Sequence, residues 1–253
     1  MPSAMEVETP SPEEGSQIFE LTDQCHHYTH LSEVEYDIQK YFSQRYSIWS
    51  KYKQGIYMTD DSWFGVTPEP VANKVAEDFA ALVPASKTIL IDMFAGAGGN
   101  VIAFALSGRW EKIIAIEKDI SVIACAQHNA SIYGVASQIT WIHSDCFTYL
   151  STYSSTIDPS KTVVFASPPW GGPRYEEGDV FNLSKMQPYS IEQIYGVVKS
   201  MDHALYLPRG SDLRQIARLA PEGKKIEVVQ YCVFGASKAM VAYIPAITTE
   251  DTT

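Results

Sequence analysis

Residues Thr162-Val163-Val164-Phe165-Ala166 form an apolar run that ends in Ser167-Pro168-Pro169-Trp170-Gly171-Gly172-Pro173. No other stretch narrows the folding options as far. The run reads as a buried strand. Two consecutive prolines cannot donate backbone hydrogen bonds, and each fixes its φ. The residue ahead of a proline is pushed out of the helical region. The strand therefore stops at Ser167, and the chain leaves it stiff and extended, with carbonyls that lack ladder partners and can face a ligand. Trp170 follows, on a chain that Gly171-Gly172 lets turn sharply. Such a segment holds a planar aromatic surface beside two or three fixed hydrogen-bond acceptors. By itself it is equally a Pro/Gly turn with one core tryptophan.

A second stretch tips that balance. Asp92-Met93-Phe94-Ala95-Gly96-Ala97-Gly98-Gly99-Asn100 follows the β-rich run Thr88–Ile91 and precedes Val101–Leu106, a buried helix start. Strand, Gly-rich turn and helix bring a nucleotide-like ligand against bare backbone. The pattern D-x-F-x-G-x-G-G lacks the usual pyrophosphate grip and resembles the first motif of S-adenosylmethionine-dependent methyltransferases. Glu117 ends the next strand, Ile113–Ile116, where a carboxylate can accept both ribose hydroxyls. Ser144-Asp145-Cys146 follows Ile139–His143, where an acid can accept from an adenine amino group.

Along the chain, residues 1–17 read as a disordered acidic tail, with four glutamates and no lysine or arginine. Ser32 and Glu35 have capping-box spacing. Val34, Ile38, Tyr41, Phe42, Ile48, Trp49 and Tyr52 then share one helical face, which predicts an amphipathic helix packed on the main domain. Thr67-Pro68-Glu69 reads as a capped helix start. Strands are predicted at 88–94, 112–117, 138–143, 161–167, 203–207, 225–234 and 238–244. Helices are predicted at 99–107, 120–133, 190–200 and 212–219, the last capped by Ser211. Strands alternating with helices imply a doubly covered, mostly parallel sheet, closed by an antiparallel hairpin. Ligands in such sheets sit at the carboxyl ends of the strands. Asp92, Glu117, Asp145, Ser167 and Arg209 all fall there.

Length and charge set outer bounds. The 253 residues suit one domain with an appendage: 18–66 as a helical extension, 67–246 as the α/β domain, and 247–253 as a tail. No run approaches the ~18 apolar residues of a membrane helix, and no signal peptide is visible. Cys25, Cys125, Cys146 and Cys232 show no metal-type pairing and read as buried free thiols, so no metal is expected. The formal charge is −11; six of those charges lie in the two tails, which leaves the body near −5. A broad nucleic-acid surface would be basic. A few placed cations can still hold one short, highly charged group.

Lys40–Tyr46, Trp63–Glu69, Phe104-Ala105-Leu106, Asn129–Gly134, Ser167–Pro173 and Leu207-Pro208-Arg209 together resemble the trimethylguanosine synthases. These are Rossmann-like class I methyltransferases that hypermethylate the 7-methylguanosine cap of small nuclear and nucleolar RNAs. The resemblance runs from about residue 30 to 245 and points to a fungal or other divergent eukaryotic member. The chain departs from the family at Glu117, Phe42 and Gly65, where aspartate, tryptophan and serine are usual.

The resemblance implies a seven-stranded sheet and an N-terminal extension that completes the active site. It implies S-adenosylmethionine held by Thr67, Asp92, Phe94, Ala95, Gly96, Gly98, Asn100, Glu117, Asp145, Cys146 and Ser167. The cap base would stack on Trp170, with Ser167, Pro168 and Asn129 on its edge, and the triphosphate would meet Lys40, Tyr175 and Arg209. The resemblance further implies nuclear, nucleolar residence and recruiting proteins on small ribonucleoproteins. A second reading is another methyltransferase of exocyclic amines, on guanine N2 or adenine N6, which would want a broader basic surface. A third is a cap-binding module without catalysis, which would be expected to have lost Asp92, the glycines or Glu117.

Overall fold

The computed structural model describes residues 17–170, 180–233 and 235–247. Tyr175, the Gly171-Gly172-Pro173 turn and most of both tails lie outside them. Among the described residues seven strands form one sheet: β1 (Ile89–Asp92), β2 (Lys112–Glu117), β3 (Ile139–His143), β4 (Thr162–Ala166), β5 (Asp202–Leu207), β6 (Glu227–Val233) and β7 (Ala236–Ile244). Their order is β3-β2-β1-β4-β5-β7-β6. The first five run parallel, and β7 and β6 are antiparallel.

Each central strand is apolar on both sides because helices cover both faces. Successive side chains alternate between two cores. Leu90, Ile113, Val163 and Phe165 enter one, while Ile91, Ile114, Val164 and Ala166 enter the other. The register sets Asp92 of β1 opposite Phe165 of β4. The acid that ends β1 and the Ser167 that follows β4 therefore leave the sheet side by side.

The helices are α1 (Gln39–Phe42), α2 (Arg45–Ile48), α3 (Ser62–Gly65), α4 (Glu69–Leu82), α5 (Gly99–Leu106), α6 (Ile120–Tyr133), α7 (Cys146–Thr152), α8 (Ile191–Val198) and α9 (Leu213–Ala217). Their termini follow local chemistry. Asp119 accepts from Ser121 N and Val122 N at the start of α6, and Gly134 ends that helix at φ 78°. No described helix is long and apolar enough to cross a membrane.

Three sequence-based expectations about helix ends change. The N-terminal amphipathic helix is broken into α1, α2 and short 3-10 turns at Leu31–Glu33 and Tyr52–Gln54. Its apolar residues are nonetheless buried: Val34, Ile38, Phe42, Ile48, Trp49 and Tyr52 all join the core. At the break, Arg45 Nη1 donates to the Phe42 carbonyl at 3.0 Å. Glu33, rather than Glu35, closes the first turn, accepting from Thr29 N and His30 N. Asp212, rather than Ser211, caps α9, because the Ser211 hydroxyl donates to the Pro208 carbonyl instead. Of the four free cysteines, Cys25, Cys125 and Cys146 are buried and Cys232 is exposed.

Candidate active site

The site begins at the turn between β1 and α5. Gly98, at φ 100°, is the N-cap of α5, a backbone state that glycine adopts without strain. A Cβ on Gly99 would come within 3.0 Å of the Thr67 carbonyl and 3.4 Å of Val66. The turn is therefore pressed directly onto the segment after α3. Ala95 N donates to Ile116 O and Gly98 N to Ala95 O, both at 3.0 Å. Phe94 is half-buried beside this turn.

Two carboxylates face this turn. Asp92 is fully buried. Its Oδ1 accepts from Phe94 N at 3.2 Å, and Oδ2 is a buried acceptor without a protein partner. Burial, with a smaller push from the Glu117 charge, raises its carboxyl to about 7. Glu117 accepts from Gly96 N at 3.1 Å through Oε2, and from Lys118 N and Asp119 N through Oε1. Burial raises its acid too, against those three amides. Two desolvated acids beside one turn favour a cationic guest.

Thr67 does not cap α4, whose N-cap is Pro68. It is buried, and its hydroxyl accepts from Asn100 Nδ2 at 3.0 Å. That fixes the Thr67 hydrogen as a donor toward something else. Asn100 Oδ1 is a second buried acceptor without a protein partner.

Asp145 caps α7 through Oδ1 to Thr148 N, and its Oδ2 accepts from the Tyr189 hydroxyl at 2.8 Å. Burial works to raise this acid, but the bonds from Thr148 and Tyr189 outweigh it and hold it below the usual range. Tyr189 also lies 4.6 Å from the Phe147 ring and 6.0 Å from Phe94. Sequence reasoning missed both Tyr189 and Phe147; a partner 44 residues away leaves no local signal. Cys146 is buried in the core, its thiol pushed up to about 12 by burial, so its side chain serves packing.

At the end of β4, Ser167 is half-buried, Pro168 buried and Pro169 exposed. Trp170 is half-buried and packs against both cores. Its ring lies nearly parallel to that of Tyr206, at 12° with centroids 6.1 Å apart, and Nε1 donates to the Tyr206 carbonyl at 3.4 Å. The indole is thus locked in orientation by β5, the strand next to β4. Arg209 is exposed two residues beyond β5. Lys40 is exposed on α1, its ammonium 4.9 Å from the Tyr41 ring.

Asn129 is elsewhere than expected. It is fully buried on α6, its Oδ1 accepting from Tyr57 N at 2.9 Å. Its Nδ2 donates to the carbonyls of Tyr57 at 2.9 Å and Ala97 at 3.0 Å. A residue so enclosed cannot touch a base edge. It clamps the extension to the turn.

Residues 87–247 match the sequence model of the RNA cap guanine-N2 methyltransferases. The chain belongs to that family. It is a methyltransferase. The trimethylguanosine synthase of Schizosaccharomyces pombe is 32% identical over 209 residues, covering 81% of this chain and 85% of that protein. The trimethylguanosine synthase of Saccharomyces cerevisiae is 37% identical over 183 residues, 71% of this chain, which spans only 57% of that protein. The fold is shared with a SAM-dependent methyltransferase of Agrobacterium tumefaciens, at a TM-score of 0.51 and 16% identity over 72% of this chain and 63% of that one. No group of three His, Cys, Asp or Glu among the described residues is placed to hold a metal ion.

Proposed function

We propose that the enzyme converts the 7-methylguanosine cap of small nuclear and nucleolar RNAs to 2,2,7-trimethylguanosine, by two methyl transfers from S-adenosylmethionine to guanine N2. The observation that carries this reading is Trp170, locked against Tyr206 one strand from Asp92. 7-Methylguanine is positively charged, and an indole face is its best aromatic partner, worth roughly 0.5–2 kcal/mol. Ser167 Oγ and the Pro168 carbonyl, held by the proline pair, suit N1–H and the N2 amine. Lys40 and Arg209, both exposed, would meet the triphosphate.

S-adenosylmethionine supplies an electrophilic methyl on a sulfonium. The residues present fit it. Asp92 Oδ2 and Asn100 Oδ1 are buried acceptors waiting for donors. Glu117 is aimed by three amides, and at Gly96 nothing stands within 4 Å of where a Cβ would be, which leaves room. Asp145 and Tyr189 form a polar end beside Phe147 for the adenine.

The N2 lone pair is delocalised into the guanine ring. Fixed acceptors that hold its hydrogens favour pyramidalisation and aim the lone pair along the transfer direction. Positioning and exclusion of water supply the acceleration, and no strong general base is required. After the first transfer the amine still carries a proton, so a second transfer is open. Small nuclear and nucleolar RNA as clients implies work in the nucleus and nucleolus, with recruiting proteins on those particles.

The test is methyl transfer from labelled S-adenosylmethionine to m7GpppG beside GpppG, with Trp170→Ala in parallel. Transfer to m7GpppG alone, lost in the variant, supports the reading. Transfer to neither, with cofactor still bound, refutes it.

A further inference from the structure

One stretch breaks the acidic character of the chain. Between Asp37 and Asp60 there is no aspartate or glutamate, and Lys40, Arg45, Lys51 and Lys53 stand within it. No other acid-free run in the sequence carries as many cations. The structure sorts these four. Lys51 is committed to the fold, its Nζ donating to the Ile132 carbonyl at 3.1 Å and lying over the Tyr133 ring. Arg45 and Lys53 instead converge on Tyr46. The Arg45 guanidinium lies 4.4 Å from the Tyr46 ring and donates through Nη2 to its hydroxyl at 3.3 Å. Lys53 Nζ is 5.5 Å from the same ring. Tyr46 is 47% exposed.

Packing explains part of this. Arg45 also stacks at 4.1 Å on Phe42 and binds its carbonyl, which is reason enough for an arginine there. It does not explain a half-exposed ring with a second cation reaching toward it. Because Arg45 donates to the Tyr46 oxygen, the tyrosine hydrogen is left to donate outward. An accessible aromatic face flanked by cations, on a protein of charge −11, is the arrangement that holds single-stranded nucleic acid. The face is also tied to the site. Tyr46 meets Tyr52, and Tyr52 meets Trp63, each at 6.0 Å. Trp63 lies in α3, which runs into Thr67 at the cofactor turn.

We infer that Tyr46, with Arg45 and Lys53, binds the RNA chain that follows the cap, a nucleobase stacking on the ring and phosphates meeting the cations. This rests on the cap reading above. It adds a contact to the RNA body, beyond the cap itself.

The experiment uses the full chain. KM is measured for m7GpppG and for an m7G-capped RNA of about 12 nucleotides, within the span of one single-strand site. Binding of the same RNA, capped and uncapped, is followed by fluorescence anisotropy at several salt concentrations. The capped RNA should have the lower KM. Tyr46→Ala should raise that KM, and the anisotropy Kd, about 5- to 100-fold. Lys53→Gln should lower the slope of log K against log salt by about 0.7. Both variants should leave kcat and the KM for m7GpppG unchanged. Equal KM for dinucleotide and capped RNA in the unaltered enzyme would overturn the inference. So would an equal effect from Lys199→Gln, at the end of α8. If m7GpppG is no substrate at all, the cap reading fails separately. The surface is then still judged by anisotropy, where RNA binding indifferent to Tyr46→Ala and Lys53→Gln overturns it.

Discussion

Replacing Asn129 by alanine separates two roles that a sequence cannot tell apart. If Asn129 read the guanine edge, the loss would appear as a raised KM for the cap in a stable protein. The structure gives it a different task. Its amide makes three bonds, from Tyr57 N and to the carbonyls of Tyr57 and Ala97, all at 2.9–3.0 Å. Asn129→Ala leaves one N–H and two carbonyls without partners at a fully buried position. Each such group costs about 1–3 kcal/mol. Allowing for water entering the space, the total is about 3–5 kcal/mol, at the severe end of single substitutions. Asn129→Asp should do no better, because it turns a carboxylate oxygen toward two carbonyls. Urea unfolding gives the free-energy loss, and hydrogen exchange at the Tyr57 amide shows whether the extension undocks before the sheet melts. Cofactor affinity should fall as well, since Ala97 belongs to the Gly turn. A loss below about 1 kcal/mol with unchanged cofactor affinity and a raised cap KM would refute the clamp and restore the base-edge role.

Three further outcomes follow from the same geometry. Gly99→Ala places a Cβ 3.0 Å from the Thr67 carbonyl, a backbone atom that cannot swing aside; cofactor Kd by calorimetry should rise at least tenfold, and an unchanged value would mean the turn and Thr67 are not pressed together. Asp92, raised to about 7, is largely neutral below that pH. A cationic ligand needs it ionised, so S-adenosylmethionine affinity should fall up to tenfold per unit below pH 7, and Asp92→Asn should flatten the profile; equal affinity at pH 6 and 8 would contradict this. Burial lowers His203 from 6.5 to about 4, its Nδ1 bonded to the Met201 carbonyl. The unfolded chain takes up a proton below pH 6.5 that the folded ring refuses. Its stabilising share is therefore complete above pH 6.5 and falls as pH drops toward 4, by about 2 kcal/mol at pH 5. Urea midpoints for His203→Gln should lose that part of the acid sensitivity.

The sheet was legible because its signals are local. Runs such as Ile113–Ile116 and Val163–Ala166 are apolar on both faces, and strand ends fall at charged or proline residues that no buried ladder accepts. The Gly turn and its two acids were legible for the same reason: Asp92, Glu117 and the glycines each sit next to the strand that positions them. The errors cluster where a side chain found a distant partner. Asn129 was expected on the edge of the cap base, whereas Tyr57, 72 residues away, closes on it. Thr67 has the local grammar of a cap, but Asn100 at 33 residues' separation claims its hydroxyl. The N-terminal helix is broken where the Arg45 guanidinium bonds the Phe42 carbonyl. Burial of an apolar stripe follows from its spacing, whereas continuity of the backbone depends on local bonds that the spacing does not show. The two separate in this extension, whose residues pack as predicted while its backbone does not. The consequence is functional. Beyond the break between α1 and α2, Arg45 lies between Phe42 and Tyr46. Two of the extension's four cations, Arg45 and Lys53, thereby meet at one aromatic ring, and the phosphates that follow a cap would find them there.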